Sequence, residues 1–123
     1  LDPVTIYRPA SVVGDSTSGF TNSTHGFYLP LQMAHAMADE FPVELMGERF
    51  FKMLGLNGDE GKNLVPVDWL AKAITSIITR PDLHGRTYHL SSPNPVTVRM
   101  IQTVIQEAMA RFCKRRGTIR KPD

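Results

Sequence analysis

The feature that most constrains this chain is the stretch Val4 to Ser16, VTIYRPASVVGDS, an apolar run interrupted by Arg8-Pro9 and closed by Gly14-Asp15-Ser16. Val4 to Arg8 alternates β-branched and aromatic residues, which favours a strand, and Pro9 removes a ladder N–H. A buried strand stopping at Pro9 is therefore expected. In an open α/β sheet, ligands sit beyond the carboxyl ends of strands. The run thus predicts a ligand-facing opening over Pro9 to Asp15, with backbone groups released from the ladder free to bond a ligand amide. A short apolar piece, Ser11-Val12-Val13, follows, and from Asp15 to Gly26 the composition turns to Asp, Ser, Thr, Asn and Gly (DSTSGFTNSTHG). Such a loop is long enough to be functional or mobile.

Downstream the period changes. Leu29, Met33, Met37 and Phe41 recur at four-residue steps, predicting a helix within Phe27 to Phe41 that ends before Pro42. Val43 to Met46 reads as a short strand, Glu48 to Leu54 as a helical turn, and Asn57-Gly58-Asp59-Glu60-Gly61 as a turn cluster. Leu64 to Val67 is extended, and Asp68 is placed to cap the next helix, whose apolar face is Trp69, Leu70, Ala73, Ile74, Ile77 and Ile78. A turn at His84-Gly85 leads to a strand over Arg86 to Leu90. A last helix begins near Thr97 with Val98, Ile101, Val104, Ile105, Ala108 and Phe112 inward, and ends at Gly117. Residues 117–123 read as a flexible tail. The alternation of strands and helices predicts an α/β or α+β layer, a small sheet carrying three main helices.

A chain of 123 residues holds one domain at most. No apolar run approaches the ~20 residues of a membrane span. No signal peptide is visible at the start, LDPVTIYRP, which begins abruptly on a core-like strand, as a domain cut from a longer chain would. The single cysteine, Cys113, rules out an internal disulfide and favours a cytoplasmic setting. The net charge of +2 is uneven: residues 1–110 carry 8 basic and 11 acidic residues, whereas Arg111, Lys114, Arg115, Arg116, Arg120 and Lys121 cluster at the end. A solvated helix terminus accounts for that cluster, because cations suit the negative end of a helix dipole. Only Phe112 is interleaved with it, which disfavours nucleic acid as a partner.

Residues that could carry chemistry are few. The sequence has no G-x-G-x-x-G, Walker loop or G-x-S-x-G. His25, His35, His84 and His89 lack metal-site spacing, so no metal is expected. None of Tyr7, Tyr28 and Tyr88 has a lysine four residues later, and no catalytic residue is assigned.

Three blocks, YRPASVVGDSTSGFTN (Tyr7 to Asn22), KNLVPVDWLAKAI (Lys62 to Ile74) and GRTYHLSSPNPVTVRMI (Gly85 to Ile101), resemble the C-terminal part of extended short-chain dehydrogenases/reductases. The resemblance is nearest to the branch of thioester reductases and male-sterility-type acyl reductases. It implies a fragment of an NAD(P)-binding Rossmann-type reductase over residues 1–123, with the sixth strand of the sheet near Val4 to Arg8. It implies that Pro9, Ala10, Ser11 and Val12 meet the nicotinamide end of NADP or NAD. Gly14, Asp15, Ser16, Gly19 and Asn22, with Phe27 and Tyr28 beyond them, would border the substrate. Val67 and Asp68 would support the pocket from below. The family's glycine motif, catalytic Ser/Thr and Tyr-x-x-x-Lys are absent from this sequence.

These implications predict the substrate-binding part of an oxidoreductase acting on a thioester, acyl or related carbonyl group. It would be inactive alone and would not hold the cofactor tightly, its partners being an N-terminal Rossmann portion and a small-molecule or acyl-thioester substrate. Self-association is expected through Val4, Ile6 and the Trp69 helix face if that portion is missing. A lobe of a sugar-nucleotide epimerase or dehydratase, or a non-catalytic ligand-sensing or protein-interaction module of the same fold, is the alternative.

Overall fold

The computed structural model describes residues 2–23, 26, 28–37, 52 and 55–116. They fall into two compact units, one joining the start of the chain through Asn22 to Asn63–Pro95, the other comprising Ser23–Lys62 and the chain from Val96 onward.

The first unit is built on two parallel pairings. Strand β1 (Ile6–Pro9) runs alongside β5 (Thr87–Leu90), with Ile6 opposite Thr87 and Pro9 opposite Leu90. Strand β2 (Ser11–Val13) runs alongside β4 (Leu64–Pro66), with Val12 opposite Val65. One extended segment therefore changes partner at Ala10, and Pro9 does not end the ladder as expected. The N–H groups of Ile6 and Ala10 donate to Arg86 O and Leu90 O of the β5 segment, both at 3.0 Å. Successive N–H groups of a strand point to opposite sides, so the donor Pro9 lacks belongs to the edge facing away from β5. Backbone released after Pro9 is likewise not seen: Ala10 bonds Leu90, and Ser11–Val13 join β4.

Helix α2 (Val67–Ile78) follows β4 and packs against β2, β4 and a 3-10 turn at Pro81–Leu83. Its inner face is narrower than expected, with Ile77 buried and Leu70, Ala73 and Ile74 half-buried, while Trp69 and Ile78 are exposed. Val65, Ile77 and Leu90 form this unit's buried core. Because α2 lies over β2 and β4, the strand expected to be buried is not: Val4 is 73% exposed, Ile6 is exposed, and Tyr7 is half-buried against Tyr88 across the β1–β5 pair. The Tyr88 hydroxyl donates to Leu83 O at 2.7 Å, and the Asn63 side chain pairs with Ser92 through two 2.8 Å bonds, fixing the approaches to β5 and β4.

The second unit contains α1 (Leu29–Met37), an antiparallel pair of β3 (Gly61–Lys62) with β6 (Val96–Thr97), and α3 (Val98–Arg116). The expected turn cluster is present and starts α3. The Glu60 carboxylate accepts from the N–H groups of Asn57 and Gly58, and the freed carbonyls of Glu60 and Gly58 accept from Val98 and Arg99 N–H at 3.0 and 2.9 Å. Thr97 Oγ1 accepts from Met100 N–H, satisfying another first-turn donor. Val98 is buried and Ile101, Ile105 and Phe112 are half-buried as expected, but Val104 and Ala108 are exposed and Met109 and Cys113 turn inward instead. At 3.6 residues per turn, the row begun by Val98, Ile101 and Ile105 continues to Met109 and Phe112 rather than through 104 and 108.

Among the described residues the three helices are thus present, but the single small sheet is replaced by three two-stranded ones. The expectations for Val43 to Met46 and Glu48 to Leu54, the end of α1 near Phe41, and the tail from Gly117 lie outside the described residues. No described helix is long and apolar enough to cross a membrane.

Candidate functional site

The residues after Pro9 assemble into one structure at the carboxyl ends of β2 and β4. Asp15 Oδ1 accepts three hydrogen bonds, from Thr17 N–H (2.9 Å), Ser18 N–H (2.8 Å) and the Ser18 hydroxyl (3.0 Å). Asp15 N–H donates to Phe20 O and Gly19 N–H donates to Asp15 O, so the backbone closes on itself. Ser18 Oγ also accepts from Phe20 N–H. Gly19 makes the return with φ of 71°, a conformation open to glycine without strain.

This closed loop is fastened from outside by Asp68. Ser16 N–H donates to Asp68 Oδ1 at 2.9 Å, and Ser16 Oγ donates to Asp68 Oδ2 at 2.6 Å. The expected capping role of Asp68 is corrected: Pro66 holds the N-cap position without a side-chain cap bond, and Asp68 lies one residue inside α2. From there its carboxylate bonds the loop at Ser16. A tie between residues 52 apart leaves no local sequence signal.

Hydrogen bonding from Ser18 and Thr17 holds the Asp15 carboxyl below its ordinary value of 3.8, outweighing desolvation and the nearby Asp68 charge. The Ser16 hydroxyl and N–H do the same for Asp68. Lowered folded-state values mean that both carboxylates contribute their full stabilisation above pH 3.8 and lose it as the pH falls below that value through the folded pKa. Amide exchange, corrected for its intrinsic pH dependence, should show Ser16, Thr17 and Ser18 losing protection only below pH 3.8 while Ile6 and Ala10 keep theirs. Loss near pH 6 would mean that these carboxylates do not hold the loop.

The residues assigned to the cofactor and substrate are distributed as follows. Pro9 and Ser11 are exposed at the change of partner, and Ala10 and Val12 are half-buried. Gly14, Asp15, Ser16 and Gly19 form the loop, and Asn22 is exposed beyond it. Tyr28, half-buried, belongs to the second unit, where its carbonyl accepts from Gln32 N–H, and Phe27 lies outside the described residues. Phe20, to which no sequence motif gives a role, closes the loop through its backbone N–H and carbonyl. Pro9 and Ser11 are open to a ligand, and the sequence offers no glycine-rich cradle for a dinucleotide pyrophosphate. No metal-holding group of His, Cys, Asp and Glu occurs among the described residues.

Compared with known proteins, residues 2–74 match the model of an NAD-binding family described as "Male sterility protein". The chain belongs to the male sterility protein family. β1, β2, the Asp15 loop, β4 and the first half of α2 all lie inside the matched stretch. The chain is also 30% identical over 92 residues to the aldehyde reductase lnbA of Aspergillus flavus, an alignment covering 75% of this chain and 8% of that protein. The chain thus spans a small part of that relative's length. No solved structure matches.

Proposed function

We propose that this chain is the substrate-binding C-terminal part of an NAD(P)-dependent extended short-chain reductase acting on a thioester, acyl or related carbonyl group. On this reading β1 and β5 form the edge of a Rossmann sheet completed by an N-terminal portion. The observation that carries it is the Asp15 loop, tied by Ser16 to Asp68 at the carboxyl ends of β2 and β4, directly after the parallel strand β2 that ends at Val13. That is the end of an α/β layer where ligands bind. The name of the aldehyde reductase supports a carbonyl substrate. When bound, the nicotinamide supplies the hydride to the carbonyl carbon. The residues of this chain orient the substrate and exclude water, and catalytic proton transfer belongs to the N-terminal portion.

Equilibrium titration with NADPH tests this. The chain alone should bind no more tightly than about 1 mM, because it lacks a pyrophosphate cradle, whereas the full reading frame should bind near the micromolar range and oxidise NADPH when given an acyl thioester or aldehyde. Micromolar binding by the chain alone would show that the cofactor site is misplaced. A full reading frame without G-x-x-G-x-x-G and Y-x-x-x-K would sink the reductase reading.

A further inference from the structure

The Asp15 and Ser16 side chains that the sequence offered to a substrate take part in holding the loop. Asp15 Oδ1 accepts from Thr17 and Ser18, and the Ser16 hydroxyl donates to Asp68. Ser18 Oγ both donates to Asp15 and accepts from Phe20 N–H. The residue that this scaffold projects is Phe20, whose backbone is bonded at both its N–H and its carbonyl while its side chain is 71% exposed. An aromatic ring held open to solvent on a loop closed by its own hydrogen bonds offers apolar area at little cost in backbone ordering. Val67 and Trp69, the sequence neighbours of Asp68 in the first turn of α2, are also exposed.

We propose that Phe20, rather than Asp15 or Ser16, is the loop residue that touches the substrate, and that it sorts substrates by covering the apolar part of an acyl chain. The proposal rests on the acyl-carbonyl reading above and separates it from the sugar-nucleotide alternative, whose hydroxyls would call for polar contacts where Phe20 presents an apolar ring.

The test is calorimetric binding of decanoyl- and acetyl-N-acetylcysteamine to the full-length protein and to Phe20→Ala and Phe20→Leu variants, alongside NADPH oxidation. Phe20→Ala should weaken decanoyl binding about tenfold, the effect of uncovering one or two methylenes, and leave acetyl binding within twofold. Phe20→Leu should recover most of the loss. In the chain alone, where Phe20 is exposed, the melting temperature should not move in either variant. No decanoyl binding by the wild type, or equal losses for the two probes, would overturn the proposal. Chain-length-dependent binding without any NADPH oxidation would uphold it while refuting the reductase reading.

Discussion

Gly14→Ala is expected to be the most damaging single change to the Asp15 loop. A methyl group at that position would lie 2.7 Å from Gly19 O and 2.8 Å from Phe20 O, distances that real side chains do not tolerate. Both obstacles are backbone, and Phe20 O is already engaged by Asp15 N–H. Neither can swing aside as a flexible side chain could, so the loop must open. Overpacking against fixed backbone costs about 2 kcal/mol, and here the strain is relieved by losing the closure that projects Phe20. At Gly19 the difficulty is different: nothing lies within 4 Å of an added methyl group, and only the φ of 71° opposes it. Gly19→Ala should therefore cost about 1 kcal/mol, and Gly19→Asn less, since Asn tolerates the left-handed region. Urea unfolding should rank the variants Gly14→Ala, Gly19→Ala, Gly19→Asn in falling severity. Substrate affinity of the full-length protein should fall at least tenfold for Gly14→Ala. Equal costs at the two glycines would mean that the loop is not closed as described.

The contrast between those glycines also marks what could be read from the chain. That Asp15 to Gly19 turns is legible in its Asp, Ser and Gly content, because Asx-type bonding acts over two or three residues. That Gly14 must be small is not, since the atoms it meets arrive only after the turn has closed. The same distinction separates the turn at Asn57 to Gly61, which local chemistry predicts, from the role of Asp68. Asp68 satisfies every local rule for a cap and yet serves a serine far away in sequence. Pro9 departs from expectation for a related reason. Its missing donor is a property of the residue, but which edge of the strand that donor would have served depends on register, and register is set by β5. Helix faces fared better where the apolar row was unambiguous, as for Val98, Ile101 and Ile105, and worse in α2, whose apolar residues span more of the surface than the sheet covers.

That excess makes adjacent isoleucines in α2 an informative pair. Ile77 is 8% exposed and belongs to the inner row with Leu70, Ala73 and Ile74, whereas Ile78 is 56% exposed on the flank. Ile77→Ala should destabilise the chain by about 3 kcal/mol through lost burial and the cavity left behind, lowering its melting temperature by roughly 10 °C. Ile78→Ala should change stability by less than about 0.5 kcal/mol, with the higher helix propensity of alanine acting in its favour. Thermal unfolding of both variants checks the register of the helix, and similar losses would refute it. The pair also probes what lies outside the chain. If an N-terminal Rossmann portion covers the flank of α2, the cost of Ile78→Ala should rise to 1 kcal/mol or more, an order set by the area newly buried, in the full-length protein. The cost of Ile77→Ala, whose side chain is already enclosed, should stay where it is. A side chain exposed in one context and costly in the other would locate the interface without requiring any activity.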